Sequence, residues 1–123
     1  FPAVVFSRWR IFSPMLAAQG GRYAELIDWI GTNIAQPLPV EALAERAGES
    51  LRSFHRNFTA ATGSTPAQFI TRHRIDRARA LIVEGVALKQ VAVQIGFPNA
   101  AQLSTAFTKV VGMTANEWRV VHG

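Results

Sequence analysis

Apolar residues recur at helical spacing over most of the chain. The first clear stripe occupies positions i, i+3, i+4, i+7 and i+11, the spacing of one buried helix face, and Pro37 follows it as a stop. The residues of this stripe are Tyr23, Leu26, Ile27, Ile30 and Ile34. No segment alternates with period two for long enough to indicate a strand. The pattern therefore predicts an all-α fold.

Capping residues and glycines indicate where the next helices begin and end. Ser50 is a typical N-cap residue for a helix that stops at Gly63. Thr65 and Gln68 form a capping box with a proline between them, which predicts a long helix through about Glu84. Further helices are predicted at 39–47, at 88–95, at about 100–111 with Asn99 as the cap, and at 114–121.

The second half of the chain repeats the first. The matching residues are Ala44, Gly48, Phe54, Phe58, Gly63, Thr65 and Phe69 in one copy, and Ala92, Gly96, Leu103, Phe107, Gly112, Thr114 and Trp118 in the other. A small alanine lets a second helix cross closely, and the glycine permits a left-handed turn between the helices. The repeat predicts two helix-turn-helix units, at about 39–63 and 87–112, joined by a linker helix at about 66–84.

The first 20 residues follow neither a helical nor a strand period. Val4 and Phe6 precede the two arginines of this segment, whereas a signal peptide places its positive charge before its apolar stretch. We interpret residues 1–20 as a linker or the remnant of a missing N-terminal domain. Residues 21–123 then form the folded domain.

Positive charge is concentrated in the middle of the chain. Of the 123 residues, 13 are Lys or Arg and 8 are Asp or Glu, a net charge of +5. Residues 50–80 hold six arginines and one acid, so this stretch alone carries +5. A local cationic surface suits a polyanion, because neutralised phosphates release condensed counterions. A solvated arginine-rich helix face explains the charge equally simply.

Candidate catalytic chemistry is missing from the sequence. Cysteine is absent, which excludes a disulfide scaffold, a thiolate metal site and a cysteine nucleophile. His55, His73 and His122 have no acid at a recognisable ligand spacing, and the glycines form no phosphate-cradling loop. The sequence therefore predicts a protein that is not an enzyme and has no metal site and no cofactor.

The residues that carry the repeat resemble the DNA-binding domain of the AraC/XylS family of bacterial transcription regulators. The resemblance covers residues 38–119, as LPVEALAERAGESLRSFHRNFTAATGSTPAQFITRHRIDRARALI and VALKQVAVQIGFPNAAQLSTAFTKVVGMTANEWR. Its most specific groups are Gly63-x-Thr65-Pro66, the Arg74, Ile75, Ala78, Leu81, Ile82 pattern, and Gly96-Phe97 followed by Phe107.

The resemblance implies seven helices and two recognition helices that face neighbouring major grooves. Their separation must then approach one DNA turn, roughly 34 Å, or the duplex must bend. On the first recognition helix, Arg52, His55 and Arg56 share a face and occupy family positions that reach base edges. The arginines suit guanine O6 and N7. For His55, an exposed position without a base contact is an equal alternative.

The second recognition helix departs from the family pattern. Thr105 and Thr108 stand where relatives often have Arg and Lys, and Ala115 replaces a proline, which weakens the start of the last helix. The expected base-reading residues here are Ala101, Gln102 and Thr105. Expected phosphate contacts on both units and the linker helix are Ser50, Arg72, Arg77, Arg79, Asn99 and Lys109.

Other assignments stay open at this point. Arg74 either contacts DNA or is structural, with its stem packed and its head paired to a carboxylate. Trp9, Trp29 and Trp118 are expected to pack rather than to stack on bases, since none lies in an aromatic cluster beside the arginines.

The family resemblance also implies partners. It predicts double-stranded DNA as the ligand, RNA polymerase as a protein partner, and a small-molecule effector that acts only through a missing N-terminal domain. No apolar run approaches the roughly 18 residues of a membrane span, so we expect no membrane partner and a cytoplasmic protein associated with the bacterial nucleoid. The alternative is a helical protein-interaction domain with a basic docking face, and RNA binding is a weaker option.

Overall fold

The fold was obtained as a computed structural model, which describes residues 21–122. The predicted linker, residues 1–20, lies outside the described residues, and so does Trp9. Every regular element between residues 21 and 122 is an α-helix, which confirms the all-α class. The helices are α1 (Gly21–Thr32), α2 (Val40–Arg46), α3 (Leu51–Thr62), α4 (Pro66–Val83), α5 (Leu88–Ile95), α6 (Ala100–Val111) and α7 (Ala115–His122).

Predicted caps are formed as hydrogen bonds. The Ser50 hydroxyl accepts from the Ser53 amide at 3.2 Å at the start of α3. At the start of α4, the Thr65 amide donates to Gln68 Oε1 and the Gln68 amide donates to Thr65 Oγ1, both at 3.2 Å. These bonds satisfy amides that have no partner within the helix, so the first turn of each helix is fixed locally.

The last helix begins more firmly than the sequence suggested. Ala115 does replace the proline, but the Thr114 amide donates to Glu117 Oε1 at 2.8 Å and the Glu117 amide donates to Thr114 Oγ1 at 3.1 Å. Two hydrogen bonds hold the pKa of Glu117 below its usual value. The bond from the Thr114 amide has the larger effect, and the bond from the Thr114 hydroxyl has the smaller one. The Thr-x-x-Glu capping box that forms this start is a recognisable sequence signal.

The described chain divides into two compact units. The first unit contains residues 21–33 and 38–70, and the second contains residues 34–37 and 71–122. Within the first unit α2 packs against α3, and within the second α5 packs against α6 and α6 against α7. Each unit thus holds one helix-turn-helix pair.

An aromatic cluster forms the core of the first unit. Tyr23, Phe54, Phe58 and Phe69 are all buried. The Phe58 ring lies edge-on to Tyr23 and to Phe69, with centroids 5.3 Å apart in each pair. Edge-to-face packing at this distance adds about 0.5–1.5 kcal/mol per pair beyond the buried area. The predicted apolar face of α3 is therefore the face that anchors it.

The core of the second unit combines four helices. Its buried residues are Ile75, Ala78 and Ile82 of α4, Val91, Ala92 and Ile95 of α5, Leu103 and Phe107 of α6, and Ala115 and Trp118 of α7. Because these residues recur at spacings of three and four, each helix turns one stripe inward and leaves the opposite face in solvent.

The turn at Gly96 brings three chain segments together. Gly96 has φ +90°, and a Cβ atom there would lie 2.6 Å from the carbonyl oxygen of Ile34 and 3.0 Å from Cζ of Arg74. The matching glycine at the end of α6, Gly112, has φ +89° but nothing within 4 Å of such an atom. Gly96 therefore serves a close approach as well as a left-handed turn.

We expect alanine to be tolerated much better at position 112 than at position 96. Gly112→Ala adds only left-handed strain, about 1–2 kcal/mol. Gly96→Ala adds a clash with the Ile34 backbone, and we expect a loss of about 3 kcal/mol or more in the free energy of unfolding. Urea titrations followed by circular dichroism measure both. Equal losses would contradict the role assigned to the close approach.

Candidate nucleic-acid interface

The exposed face of α3 carries three of the predicted base-reading residues. Arg52, His55 and Arg56 are exposed, whereas Phe54 and Phe58 on the opposite side are buried. Because the aromatic side is fixed in the core, the basic side has a defined direction relative to the first unit. The structure thus brings the three predicted side chains together on one solvent-facing helix surface.

Glu49 is a residue of this site that sequence reasoning missed. Its carboxylate accepts from the Tyr23 hydroxyl at 2.6 Å through Oε2 and from Asn57 Nδ2 at 2.8 Å through Oε1. Tyr23 belongs to α1 and Asn57 to α3, so the turn residue joins two helices. Asn57 directly follows Arg56 on α3. The Glu49 carboxylate therefore helps to hold the helix segment that carries the basic face.

The exposed face of α6 is nearly uncharged. Ala101, Gln102, Thr105 and Lys109 are exposed there, as the sequence predicted. Asn99 caps the helix by accepting from the Gln102 amide at 2.8 Å. These four side chains lie on the side of α6 opposite the buried Leu103 and Phe107. Lys109 is the only charged residue among the four.

The three arginines expected to contact phosphate from α4 are not equivalent. Arg72 and Arg77 are exposed, whereas the side chain of Arg79 is 13% exposed. The Arg79 guanidinium lies 5.3 Å from the ring of Trp118 and 3.8 Å from the Asp76 carboxylate. Burial lowers its pKa, and the Asp76 charge opposes that shift. Arg79 therefore lacks the surface position that a phosphate contact requires, and the structure uses it in packing.

Arg74 is structural, but its predicted partner was wrong. Its guanidinium donates to main-chain carbonyl oxygens, Ile34 O at 3.2 Å and Gln36 O at 2.9 Å, and not to a carboxylate. Arg119 binds the C-terminal turn of α4 and the segment after it in the same manner, donating to Ile82 O at 3.2 Å and Val86 O at 3.1 Å. A planar guanidinium suits two diverging acceptors, which a lysine cannot match.

The two tryptophans within the described residues pack, as predicted. Trp118 is buried, and the His122 ring lies 3.8 Å from it. The Arg46 guanidinium covers the half-buried Trp29 ring at 4.3 Å. One face of the Trp29 ring is thus occupied by a guanidinium, and the Trp118 ring belongs to the core.

Other kinds of site are not evident in residues 21–122. No three or more His, Asp or Glu side chains there are grouped so that they could hold a metal ion. Nor is any helix of this region long and apolar enough to cross a bilayer.

Comparison with known proteins places the chain in a family. A model of a helix-turn-helix domain matches residues 43–120. The DNA-binding domain of AdpA, described as a global transcriptional factor and solved in complex with a target DNA, has the same fold with a TM-score of 0.75. It is 30% identical to the chain, covering 80% of this chain and 89% of that one. The chain belongs to the AraC/XylS family.

Further relatives are consistent with this AraC-type domain. A transcriptional regulator of Chromobacterium violaceum with an AraC-type DNA-binding domain shares the fold with a TM-score of 0.78 and 24% identity, over 87% of this chain and 96% of that one. The HTH-type transcriptional activator RhaS of Escherichia fergusonii is 32% identical over 99 residues. That match covers 80% of this chain and 36% of the activator, so the chain spans about a third of its relative.

Removing the Glu49 carboxylate from this AraC-type domain should cost about 1–3 kcal/mol, because the bonds from the buried Tyr23 hydroxyl and from Asn57 Nδ2 to this carboxylate are then lost. We expect Glu49→Ala to lower the free energy of unfolding by that amount in urea titrations. Tyr23→Phe is the matched partner variant. Tyr23→Phe should lower the free energy of unfolding less in the Glu49→Ala background than in the wild type. If the two losses simply add, the Tyr23 and Glu49 side chains are not energetically coupled.

The imidazole of His73 should make stability depend on pH. Burial lowers its pKa in the folded domain, the Asp76 charge opposes this shift, and Arg77 adds to it. In the unfolded chain the group titrates near its ordinary value of about 6.5. As the pH falls below that value, the unfolded chain binds the proton first, so stability decreases. His73→Gln should flatten the change in unfolding free energy between pH 7.5 and 5.5, and an unchanged profile would contradict this origin.

Proposed function

We infer that this domain binds double-stranded DNA with a preference for base sequence and thereby regulates bacterial transcription. The observation that carries the proposal is the exposed face of α3, where Arg52, His55 and Arg56 project from a helix whose other side is fixed in an aromatic core. A recognition helix reads base edges from such a rigid, solvent-facing surface. The binding of target DNA by the AdpA domain supports the same activity here.

The two recognition helices are proposed to contribute differently. On α3, an arginine can donate two hydrogen bonds to guanine, and His55 can donate to a base acceptor or a phosphate. On α6, Gln102 suits adenine and Ala101 suits a thymine methyl group, with Thr105 beside them. We propose that α3 and α6 enter successive major grooves of one duplex, so that selected sites contain two half-motifs about 10–11 base pairs apart.

Phosphate contacts are proposed for Ser50, Arg72, Arg77, Asn99 and Lys109. All five are exposed, and Ser50 and Asn99 lie at helix N-termini, where amides favour an anion. Arg79 is left out of this set because its guanidinium is packed against Trp118.

The remaining parts of the proposal concern the full-length protein. We propose that it acts through binding rather than catalysis, in the cytoplasm at the nucleoid, and that it recruits or blocks RNA polymerase. A further domain would bind a small-molecule effector. The relation to RhaS, whose name describes a transcriptional activator, supports this setting.

A titration of duplex DNA tests the proposal directly. Fluorescence anisotropy with a mixed-sequence duplex should show binding that weakens steeply with salt, followed by tighter binding to duplexes selected from a random pool. No binding to any duplex at low salt would overturn the proposal and favour a docking face for an acidic protein. Preference for RNA duplexes would overturn it as well.

Base reading and phosphate binding should separate by mutation. We expect Arg56→Ala to cost about 1–3 kcal/mol and to relax the preference at one base pair, whereas Lys109→Ala should weaken all duplexes evenly and reduce the salt slope by about one. Arg56→Lys is the control, because it keeps the charge but loses the two-pronged contact. It should retain the salt slope and lose the base preference. Identical effects of all three variants on every duplex would refute this division.

A further inference from the structure

The hydroxyl of Thr71 is unlike every other threonine hydroxyl in the chain. The sequence contains eight threonines, all of them within residues 21–122. The others bond to a carbonyl one helical turn earlier or to a main-chain amide, at Thr32, Thr59, Thr62, Thr65, Thr105, Thr108 and Thr114. Among the described residues Thr71 makes no such bond, although it lies inside α4, where the carbonyl of residue 67 is one turn away. Its donor is therefore available to a ligand.

Thr71 lines a groove that runs beside the second recognition helix. The groove has a volume of about 460 Å³ and lies wholly within the second unit. Its half-buried floor includes Phe97 and Val110, and its exposed rim includes Gln102, Thr105 and Lys109. The floor is apolar, while the side chains on the rim offer hydrogen bonds and one positive charge.

The residues of the groove suit a ligand that has both a negatively charged group and an apolar part. Lys109 supplies the charge, Thr71 supplies an unused donor, and no acidic residue lines the groove to repel an anion. A DNA strand presents phosphates joined by deoxyribose rings, whose carbon faces can pack on an apolar floor. Gln102 and Thr105 on the rim are proposed to face bases, so a strand held in the groove continues the same interface.

On these grounds we propose that the groove holds one strand of the bound DNA, with a single phosphate bound jointly by the Thr71 hydroxyl and the Lys109 ammonium group. The inference rests on the proposed DNA binding and extends it to α4 and the turn after α5. It explains how α6, with one cation, holds a duplex: a residue from a different helix completes the phosphate site. Phe97 and Val110 then contact the adjoining sugar.

The test replaces the hydroxyl by a methyl group. Thr71→Val should weaken binding to a duplex selected by the wild-type domain about ten- to a hundredfold, the loss typical of a hydrogen bond to a charged group. Thr32→Val is the matched control, since its hydroxyl already bonds to Asp28 O and it lies outside the groove. That variant should bind like the wild type. Thermal unfolding followed by circular dichroism checks that both variants are folded.

A neutral phosphate analogue locates the contact. In a series of duplexes that each carry one methylphosphonate at a different position, one position should weaken binding of the wild type and should weaken binding of Thr71→Val less, because that variant has already lost one of the two contacts. Lys109→Gln should show the same reduced sensitivity at that position, and the two substitutions together should cost less than the sum of their separate effects. Reduced sensitivity of the two variants at different phosphates, or at none, would overturn the joint site.

Two further outcomes separate the inference from the proposed function. If the wild type binds duplexes with base preference and Thr71→Val binds equally well, the groove assignment fails and the proposed function stands. If the wild type binds no duplex, the proposed function fails. Methyl NMR spectra of the domain with DNA or with n-octanoate test a different occupant. Shifts of the Thr71 and Val110 methyl signals with octanoate alone would overturn the assignment in favour of a small carboxylate site.

Discussion

The second unit depends on a main-chain approach that leaves no room for a side chain. At Gly96 the backbone passes so close to the Ile34 carbonyl that a Cβ atom would lie 2.6 Å from it. The same carbonyl accepts a hydrogen bond from Arg74, which also binds Gln36 O. The turn of the second helix-turn-helix, the segment after α1 and the middle of α4 are therefore fixed at one point. The orientation of α6 follows from that point through the buried contacts of α5.

The two helix-turn-helix units secure equivalent turns by different chemistry. After the first glycine, the Glu49 carboxylate accepts from Tyr23 and Asn57 and so joins α1 to α3. After the second, Phe97 packs against the apolar core of its unit. The hydrogen bonds of a carboxylate fix the direction of its two donor groups, whereas an aromatic ring in a core mainly fills space. The unit with the charged recognition face thus has the more directional support, which suits a helix proposed to read bases.

Local signals predicted most of the fold, because caps and periodicity act within one helical turn. The Thr65 and Gln68 box and the Ser50 cap are examples, and the Thr114 and Glu117 box was equally legible. The partners of Arg74 were not, since carbonyls 40 and 38 residues away carry no side-chain signature. The inward position of Arg79 had a signal: it lies four residues after Ile75 and three before Ile82, both buried. The outward faces of α3 and α6 were predictable, but the Glu49 network and the groove required tertiary structure.

Arg74 and Arg119 each bind to acceptors that belong to the peptide backbone, at Ile34 and Gln36 in one case and at Ile82 and Val86 in the other. An acceptor of this kind survives almost any exchange of the residue that carries it. The donor does not, because only a guanidinium has the required fork. The positions that provide the carbonyl acceptors can therefore change their side chains, while the two arginine positions cannot change without losing the hydrogen bonds.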